Sequence, residues 1–223
     1  MSILNGIVIQ PRVSADTSAI KALENLPTSV IGDVMGGRLI GTTALHPINR
    51  SPVNTCGNAF TVRVRAGDNL LIHKALDMLE SGDVLVVDGE GDTSRALVGE
   101  IMMTSARVRG AVAFVMDGAI RDADAFETHQ FPCWARGISL RGPYKEGPGY
   151  INVPVSIGGM AVNPGDIIVG DGDGIIAVPR ALALRVAELA NAKVAQERET
   201  IASILNGTYS SAWVDAAIQQ KDI

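Results

Sequence analysis

Aromatic and basic residues are both scarce in this chain of 223 residues. Phe, Trp and Tyr make up 4% of the sequence, which leaves little material for a surface that stacks nucleic-acid bases. Asp and Glu outnumber Lys and Arg by 24 to 19, so the formal net charge is -5. Proteins that bind a phosphate backbone usually carry a clustered basic face instead. We therefore expect no nucleic-acid partner.

Cysteines and long apolar runs are scarce as well. Cys56 and Cys133 lie far apart and form no CxxC pair, so reduced core thiols are expected rather than a disulfide or a zinc site. The N-terminal residues MSILNGIVIQP lack the basic and apolar regions of a secretory signal. No window approaches the about 18 uninterrupted apolar residues of a membrane span. These absences predict a cytoplasmic protein with no membrane partner.

The composition that remains is that of a globular domain. Hydrophobic residues make up 47% of the chain and charged residues 19%, both ordinary values. This length favours one domain with a large core over two small domains. We expect residues 1–223 to form that domain, with a C-terminal helix and tail from about residue 180.

The hydrophobic pattern of the central part predicts a parallel α/β unit. Residues 59–64 alternate as a strand, and the continuous apolar run 84–87 suits a strand covered on both faces. A helix beginning near Arg95 or Gly99 and ending at Arg109 follows, and residues 112–116 supply another buried strand. Strand, helix and strand in this order form a crossover unit with parallel strands.

Capping residues and turns place the shorter elements. Helix caps are expected at Ser14 or Asp16, at Thr28-Ser29, and at Asp68 or Asn69. Residues 123–128 predict a short helix, 132–135 a strand, and the Gly- and Pro-rich segment 136–150 an irregular excursion. Short β runs fill 151–178, and 180–206 is the longest helix signal. A structural role is favoured for His73, since no second His lies at metal-binding spacing.

The stretch from residue 91 to 122, GDTSRALVGEIMMTSARVRGAVAFVMDGAIRD, carries charge at two places. Glu100 lies where a glycine-containing loop becomes a helix, and Arg121 and Asp122 lie just past a buried strand. In an α/β layout both places fall at the carboxyl ends of strands, where open sheets bind ligands. We interpret them as one site.

The chemistry of this site has two interpretations. Arg121 beside Asp122 can be a plain salt bridge, as most neighbouring Arg-Asp pairs are. Alternatively, Asp122 and Glu100 can supply the one or two carboxylates that often hold Mg²⁺, one directly and one through water. Arg121 then offers a fork for a substrate carboxylate, and the helix beginning at Gly99 adds free N–H groups and a positive dipole end. Such a pocket suits a small 2-oxo acid.

Gly99-Glu100, followed after twenty residues by Arg121-Asp122, resembles the G-[D/E]-X20-R-D signature of the class II pyruvate aldolases. That family is typified by 4-hydroxy-4-methyl-2-oxoglutarate/4-carboxy-4-hydroxy-2-oxoadipate aldolase. Matching segments extend over nearly the whole chain: GDNLLIH at 67–73, SGDVLVVDG at 81–89, ARVRGAVAFVMDGAIRD at 106–122, NVPV at 152–155, NPGDIIVGDGDGIIAVP at 163–179 and AQERE at 195–199. The resemblance implies the fold shared with the regulator of ribonuclease activity A, a layered, swivelling β/β/α-type domain with a mixed sheet core.

The resemblance also implies roles for the motif residues. Asp122 would be the direct ligand of Mg²⁺ or Mn²⁺, and Glu100 would reach the metal through water and help to move protons. Arg121 would bind the pyruvyl group and offset enolate charge. Backbone N–H groups of the turn that runs through Gly99, Glu100, Ile101 and Met102 would hold the pyruvyl carboxylate.

The implied reaction is retro-aldol cleavage of a 4-hydroxy-2-oxo dicarboxylic or tricarboxylic acid to pyruvate and a second oxo acid. Decarboxylation of oxaloacetate passes through the same enolate and is the expected side activity. No Schiff-base lysine is needed, which leaves Lys74 and Lys145 without a catalytic role.

Family sites lie at the subunit interfaces of homotrimers or hexamers and receive an acidic residue from the neighbour. Glu197 or Glu199 on the last helix is the candidate, and a solvated helix face is the other interpretation of QERE. One departure concerns the second short helix, where the aldolases carry a His-Glu pair and this chain has Gly32-Asp33. The pyruvyl half of the substrate thus follows the family, and the distal half is open.

Two other functions compete with the aldolase interpretation. The regulator family implies a non-catalytic binder of a ribonuclease, but that family lacks the acidic residue after the motif arginine, so Asp122 favours an enzyme. A methyltransferase is disfavoured, because no Gly-rich turn followed by a ribose-binding acid lies at Rossmann spacing.

Overall fold

The computed structural model describes residues 6–36, 41–50 and 54–220. The strands are β1 (Ile7–Ile9), β2 (His46–Pro47), β3 (Thr55–Val64), β4 (Asp83–Asp88), β5 (Ala96–Val98), β6 (Ala113–Ile120), β7 (Cys133–Ile138), β8 (Gly149–Ile151), β9 (Val155–Ile157), β10 (Met160–Val162), β11 (Ile167–Gly170) and β12 (Ile175–Val178). The helices are α1 (Thr17–Leu23), α2 (Thr28–Val34), α3 (Leu70–Leu76), α4 (Glu100–Val108), α5 (Ala123–Thr128), α6 (Ala183–Leu205) and α7 (Ala212–Gln219). None of these helices combines the length and apolarity that a membrane crossing requires.

One large mixed sheet organises the fold. Its strands follow the order β1-β8-β3-β4-β6-β7-β2, with β11 and β12 attached beside β3 and β5 beside β6. β3, β4, β6 and β7 are mutually parallel, whereas β8 and β11 run antiparallel to β3. The predicted α/β class with a mixed sheet core is therefore confirmed.

Both faces of the central strands are covered, which explains their continuous apolar sequences. Along β6, Phe114 and Met116 face the core formed with α3, α4 and α5, whereas Ala113 and Val115 face the core formed with β9 and β10. A third core joins α1, α2 and the first half of α6 to β11 and β12. The layers therefore follow from alternate side chains pointing to opposite faces.

The predicted crossover unit is confirmed, with β4 and β6 parallel and α4 between them in sequence. β5 was missed, because three residues are too few to show a period. β7 extends to Ile138 and β8 begins at Gly149, so the irregular excursion is shorter than predicted.

The helix caps agree with prediction at two of three places. Asp16 Oδ1 accepts the Ser18 N–H at 2.7 Å, and Asp68 Oδ1 accepts the Leu70 N–H at 2.9 Å. The cap expected at Thr28-Ser29 was wrong, because Thr28 is already helical. Its N–H and hydroxyl both donate to the carboxylate of Asp171, 2.8 and 2.7 Å away, so a residue 143 positions along the chain supplies the cap.

Candidate active site

The predicted site residues meet where two neighbouring parallel strands end. Val98 of β5 pairs with Ile120 of β6, so the residues that follow them leave the sheet at the same edge. Gly99 then caps α4, and Arg121 and Asp122 lead into α5. The two halves of the motif, far apart in sequence, are neighbours in the structure.

Asp122 is held in place by the backbone of the other half of the motif. Its Oδ2 accepts the N–H of Glu100 at 3.0 Å, and Arg121 Nε lies 3.8 Å from the same oxygen. The residue adopts the left-handed conformation with φ 56° and ψ 42°, which Asp tolerates better than most residues. This conformation turns the chain from β6 into α5 at the point where the carboxylate faces α4.

Gly99 is required by this close approach. A Cβ at this position would lie 2.5 Å from Asp122 Oδ2 and 2.9 Å from Arg121 Cγ, closer than real Cβ atoms come. The backbone of Gly99 is extended, with φ -153°, so the constraint is the missing side chain rather than the conformation. The glycine of the motif lets the helix N-terminus and the carboxylate touch.

A cavity of about 140 Å³ opens beside this contact. All three residues of the apolar strand β5 line it, and its charged or titratable side chains are those of Arg121, Asp122, His73 and Lys145. The complete wall consists of Asn69, His73, Ala96, Leu97, Val98, Gly99, Ile101, Met102, Arg121, Asp122, Pro143 and Lys145. Four of the five residues predicted to bind substrate therefore line it.

The fifth, Glu100, lies next to this wall in sequence but does not line the cavity. Its N–H holds Asp122, and its carboxylate Oε1 lies 3.8 Å from His129 Nε2 at the end of α5. The Glu100 side chain is 55% exposed, which keeps it in contact with solvent at the rim. A role through water is compatible with this position.

The donor set fits a hard divalent cation and not zinc. Among the residues that the structure describes, no three His, Cys, Asp or Glu side chains gather as a metal cluster. Mg²⁺ often needs only one or two carboxylates and completes its shell with water and substrate oxygens, whereas structural zinc takes four protein ligands. Asp122, one of whose oxygens is fixed by a backbone N–H, fits the first case.

Three residues of the cavity wall, Asn69, His73 and Lys145, were not predicted as site residues. Asn69 is buried and donates through Nδ2 to Leu97 O at 2.9 Å, whereas its Oδ1 finds no hydrogen-bond donor in the described part of the chain. His73 and Lys145 share this wall, and the pKa of His73 is lowered by partial burial and by the Lys145 charge, which outweigh the opposite effect of Asp77. The segment GDNLLIH, which contains Asn69 and His73, was the signal available in the sequence. Lys145 comes from a distant loop, and no local pattern links it to that segment.

The thiols lie outside the cavity wall. Cys133 is in the core, and burial raises the pKa of its thiol. Burial, with a smaller contribution from Glu24, raises the pKa of Cys56 to about 12.

The cavity is not lined by Gly32, Asp33, Glu197 or Glu199. Asp33 forms an ion pair of 3.3 Å with Lys193 of α6, and Lys193 also lies 3.6 Å from Glu197. Asp33 thus ties α2 to α6, and Gly32 lines a separate surface cleft beside it. Glu199 is exposed on the outer half of α6.

Residues 28–177 match the family model described as "RraA-like: Aldolase/RraA". A protein of Halalkalibacterium halodurans named "Putative 4-hydroxy-4-methyl-2-oxoglutarate aldolase" is 38% identical over 183 residues, which cover 82% of this chain and 87% of the relative. A solved structure of an uncharacterized protein from Pseudomonas syringae is similar with a TM-score of 0.78 and 28% identity, over 88% of this chain and 96% of that one. The structure of the RNA-processing inhibitor RraA from Thermus thermophilis gives a TM-score of 0.63 and 27% identity, over 69% of this chain and 92% of that one.

Proposed function

The chain belongs to the RraA-like family, and on that premise we propose that it is a divalent-metal-dependent lyase. The proposed reaction is retro-aldol cleavage of a 4-hydroxy-2-oxo acid to pyruvate and a second oxo acid. The observation that carries the proposal is the contact between Asp122 and the first turn of α4, beside Arg121 and an apolar cavity. The aldolase name of the Halalkalibacterium halodurans relative agrees with it.

The pyruvyl end of the substrate would bind between Arg121 and the start of α4. The first N–H groups of a helix have no partner within the helix. The Glu100 N–H is taken by Asp122, and that of Met103 already donates to Gly99 O at 3.0 Å. The N–H groups of Ile101 and Met102 are therefore the ones that would hold the pyruvyl carboxylate, aided by the helix dipole.

Asp122 would hold Mg²⁺ or Mn²⁺ directly, and Glu100 would reach it through water. The cation supplies Lewis-acid stabilisation of negative charge on the 2-oxo oxygen. Arg121, whose Nε lies 3.8 Å from Asp122 Oδ2, would stabilise the same developing charge.

Proton movement falls to Glu100, whose exposed carboxylate borders the site. The 4-hydroxyl group loses its proton, the C3–C4 bond breaks, and its electron pair remains with the pyruvyl half as an enolate. The other half leaves as the second oxo acid, and the enolate takes a proton at C3 to give pyruvate. Oxaloacetate would lose CO₂ to reach the same enolate, so its decarboxylation is the expected side activity.

The test is pyruvate release in a lactate-dehydrogenase-coupled assay with oxaloacetate and 4-hydroxy-4-methyl-2-oxoglutarate. Asp122→Ala should lower kcat/KM by at least about 100-fold, and EDTA should abolish turnover by the wild type. Asp124→Ala is the matched control, since that carboxylate is 99% exposed on α5 and lies outside the cavity wall. Turnover that persists in Asp122→Ala would contradict the proposal.

A second candidate function is non-catalytic binding of a ribonuclease, which the similarity to the RNA-processing inhibitor favours. Two measurements together distinguish the binder from the lyase. The binder would be supported if neither substrate is turned over with Mg²⁺ or Mn²⁺ and if the protein inhibits an added ribonuclease in an RNA-cleavage assay.

We also propose that copies of the chain associate as a homotrimer or hexamer, with the site at the interface. Apolar side chains remain exposed on the outer half of α6 and on α7: Ile201, Ile204, Leu205, Trp213 and Ile218. Exposed patches of this kind commonly mark interfaces. Glu197 or Glu199, both on α6, is the acidic residue that would enter the site of a neighbouring subunit. Sedimentation analysis tests the assembly, and a monomer at all concentrations would contradict it.

A further inference from the structure

The cavity wall carries one more permanent cation than a pyruvyl group needs. Its charged residues are Arg121, Lys145, Asp122 and the titratable His73. A pyruvyl group has one carboxylate, and Arg121 with the first turn of α4 would bind it. A divalent cation on Asp122 would add further positive charge. Lys145 is therefore left over after the shared half of the substrate has been bound.

Lys145 is available for a ligand. In residues 6–36, 41–50 and 54–220, no carboxylate lies within 4.0 Å of its Nζ. The carboxylate next to it in sequence, Glu146, is paired with Arg65 at 3.2 Å. A lysine that lines a cavity and has no internal partner can pair with an anion from outside.

The loop that carries Lys145 is fixed from below by Asp68. The Asp68 side chain is fully buried, and its Oδ2 accepts the N–H groups of Glu146 at 2.8 Å and Gly147 at 3.0 Å. Its Oδ1 accepts the N–H of Leu70, the first residue of α3. One carboxylate thus joins the Lys145 loop to the start of the helix that carries His73.

Tyr144 fixes the same loop from the other side of Lys145. Its N–H donates to Gly67 O at 2.8 Å, and its carbonyl accepts the N–H of Asn69 at 3.0 Å. The guanidinium groups of Arg65 and Arg95 lie 5.4 and 4.1 Å from the centroid of its ring. Anchors on both sides hold the backbone of Lys145 at the cavity, as a preorganised binding group requires.

His73 and Lys145 line the same cavity. The Lys145 charge contributes to lowering the pKa of His73, after partial burial, so the two groups are close enough to interact. A lowered pKa disfavours the charged form of His73, which leaves Lys145 as the permanent cation beside it.

We propose that Lys145 is a specificity-determining residue that binds a carboxylate on the distal half of the substrate, the half released as the second oxo acid. This inference rests on the proposed lyase function and names the group that selects among its substrates. The site would then prefer 4-hydroxy-2-oxo acids that end in a carboxylate over those that end in a methyl group.

The test compares two substrates with the same pyruvyl half. 4-Hydroxy-2-oxoglutarate carries the distal carboxylate, and 4-hydroxy-2-oxopentanoate has a methyl group in its place. In Lys145→Met we expect kcat/KM for the glutarate to fall by about 10- to 100-fold, the range for a lost hydrogen bond to a charged group. The value for the pentanoate should stay within about twofold. Lys74→Met is the matched control, because Lys74 is an exposed lysine of α3 outside the cavity wall.

An equal fall for both substrates, or no fall for either, would overturn the role of Lys145. Exchange of the C3 protons of pyruvate in D₂O separates this failure from failure of the proposed function, since it needs only the pyruvyl half. Exchange by wild type and Lys145→Met, with an unchanged ratio of the two substrates, refutes Lys145 alone. Wild type that neither exchanges nor cleaves refutes the lyase and the inference together.

Discussion

Replacement of Gly99 by Ala separates the geometry of the site from the stability of the fold. The added Cβ would lie 2.5 Å from Asp122 Oδ2, whereas ordinary contacts begin at 3.4 Å, so the carboxylate has to retreat by roughly 1 Å. That movement breaks its hydrogen bond with the Glu100 N–H. A misplacement of about 1 Å at a reacting centre can cost about 100-fold in rate.

The cost to stability should be small. Gly99 has an extended backbone that alanine adopts without strain, and Asp122 is 44% exposed and free to turn toward solvent. Loss of one hydrogen bond to a charged group costs about 1.5 kcal/mol, less at an exposed site, and the stiffer unfolded chain returns about 0.5 kcal/mol. We expect the free energy of unfolding to change by about 1 kcal/mol or less.

Pyruvate release and urea unfolding, measured on the same preparation of Gly99→Ala, test both numbers. Gly137→Ala is the matched control, since a Cβ there meets only Thr93 Cγ2 at 3.7 Å, an ordinary contact. Undiminished kcat/KM in Gly99→Ala would refute the argument that Asp122 must sit against α4. A loss of several kcal/mol in stability would show instead that the glycine serves the fold.

Three further results are expected. Asp68→Asn should lower the free energy of urea unfolding by about 2–4 kcal/mol, because a buried carboxylate with several donors loses its charge; Asp77→Asn, at a carboxylate that is 61% exposed, should cost less than about 1 kcal/mol. His73 should titrate below its ordinary pKa of 6.5 in an NMR titration, and Lys145→Met should raise that pKa by removing the neighbouring charge; an unchanged pKa would contradict their proximity. Both thiols should react slowly with a thiol reagent at pH 8 in the native state and rapidly in urea, since burial raises the pKa of Cys56 to about 12 and covers Cys133; fast native reaction of either would contradict this burial.

The half of the site that sequence could predict is the half that the parallel crossover unit brings together. In such a unit the carboxyl ends of neighbouring strands meet at one edge, so the residues that follow the two predicted strands, β4 and β6, are expected to converge. The structure adds β5 directly before Gly99, and its pairing with β6 keeps that half of the motif at the same edge. The sequence pattern therefore predicts that Gly99, Arg121 and Asp122 lie close together. The strands β4 and β6 and the helices α4 and α5 followed from strong local patterns.

The part of the wall formed by Asn69, His73 and Lys145 could not be predicted, because its position depends on contacts between distant segments. Lys145 lies in a loop without periodicity, and this loop is held by Asp68, which binds the backbone 78 and 79 residues further on, and by the backbone contacts of Tyr144. The cap of α2 by Asp171 has the same origin. Local sequence patterns indicate which residues can cap a helix or anchor a loop, but they do not identify the distant residue that each one contacts.

The Asp68 anchor has a consequence for how relatives of this protein diverge. Asp68 holds the loop through the backbone N–H groups of Glu146 and Gly147. The contact with a loop side chain is indirect, through Arg65 to Glu146. The residue at position 145 can therefore change while the loop keeps its conformation. A glutamate at position 145 would favour a cationic group on the distal half of the substrate, and an isoleucine would favour an apolar group. Binding of the pyruvyl half would stay the same. A single substitution at position 145 would then give the same cleavage reaction a different substrate.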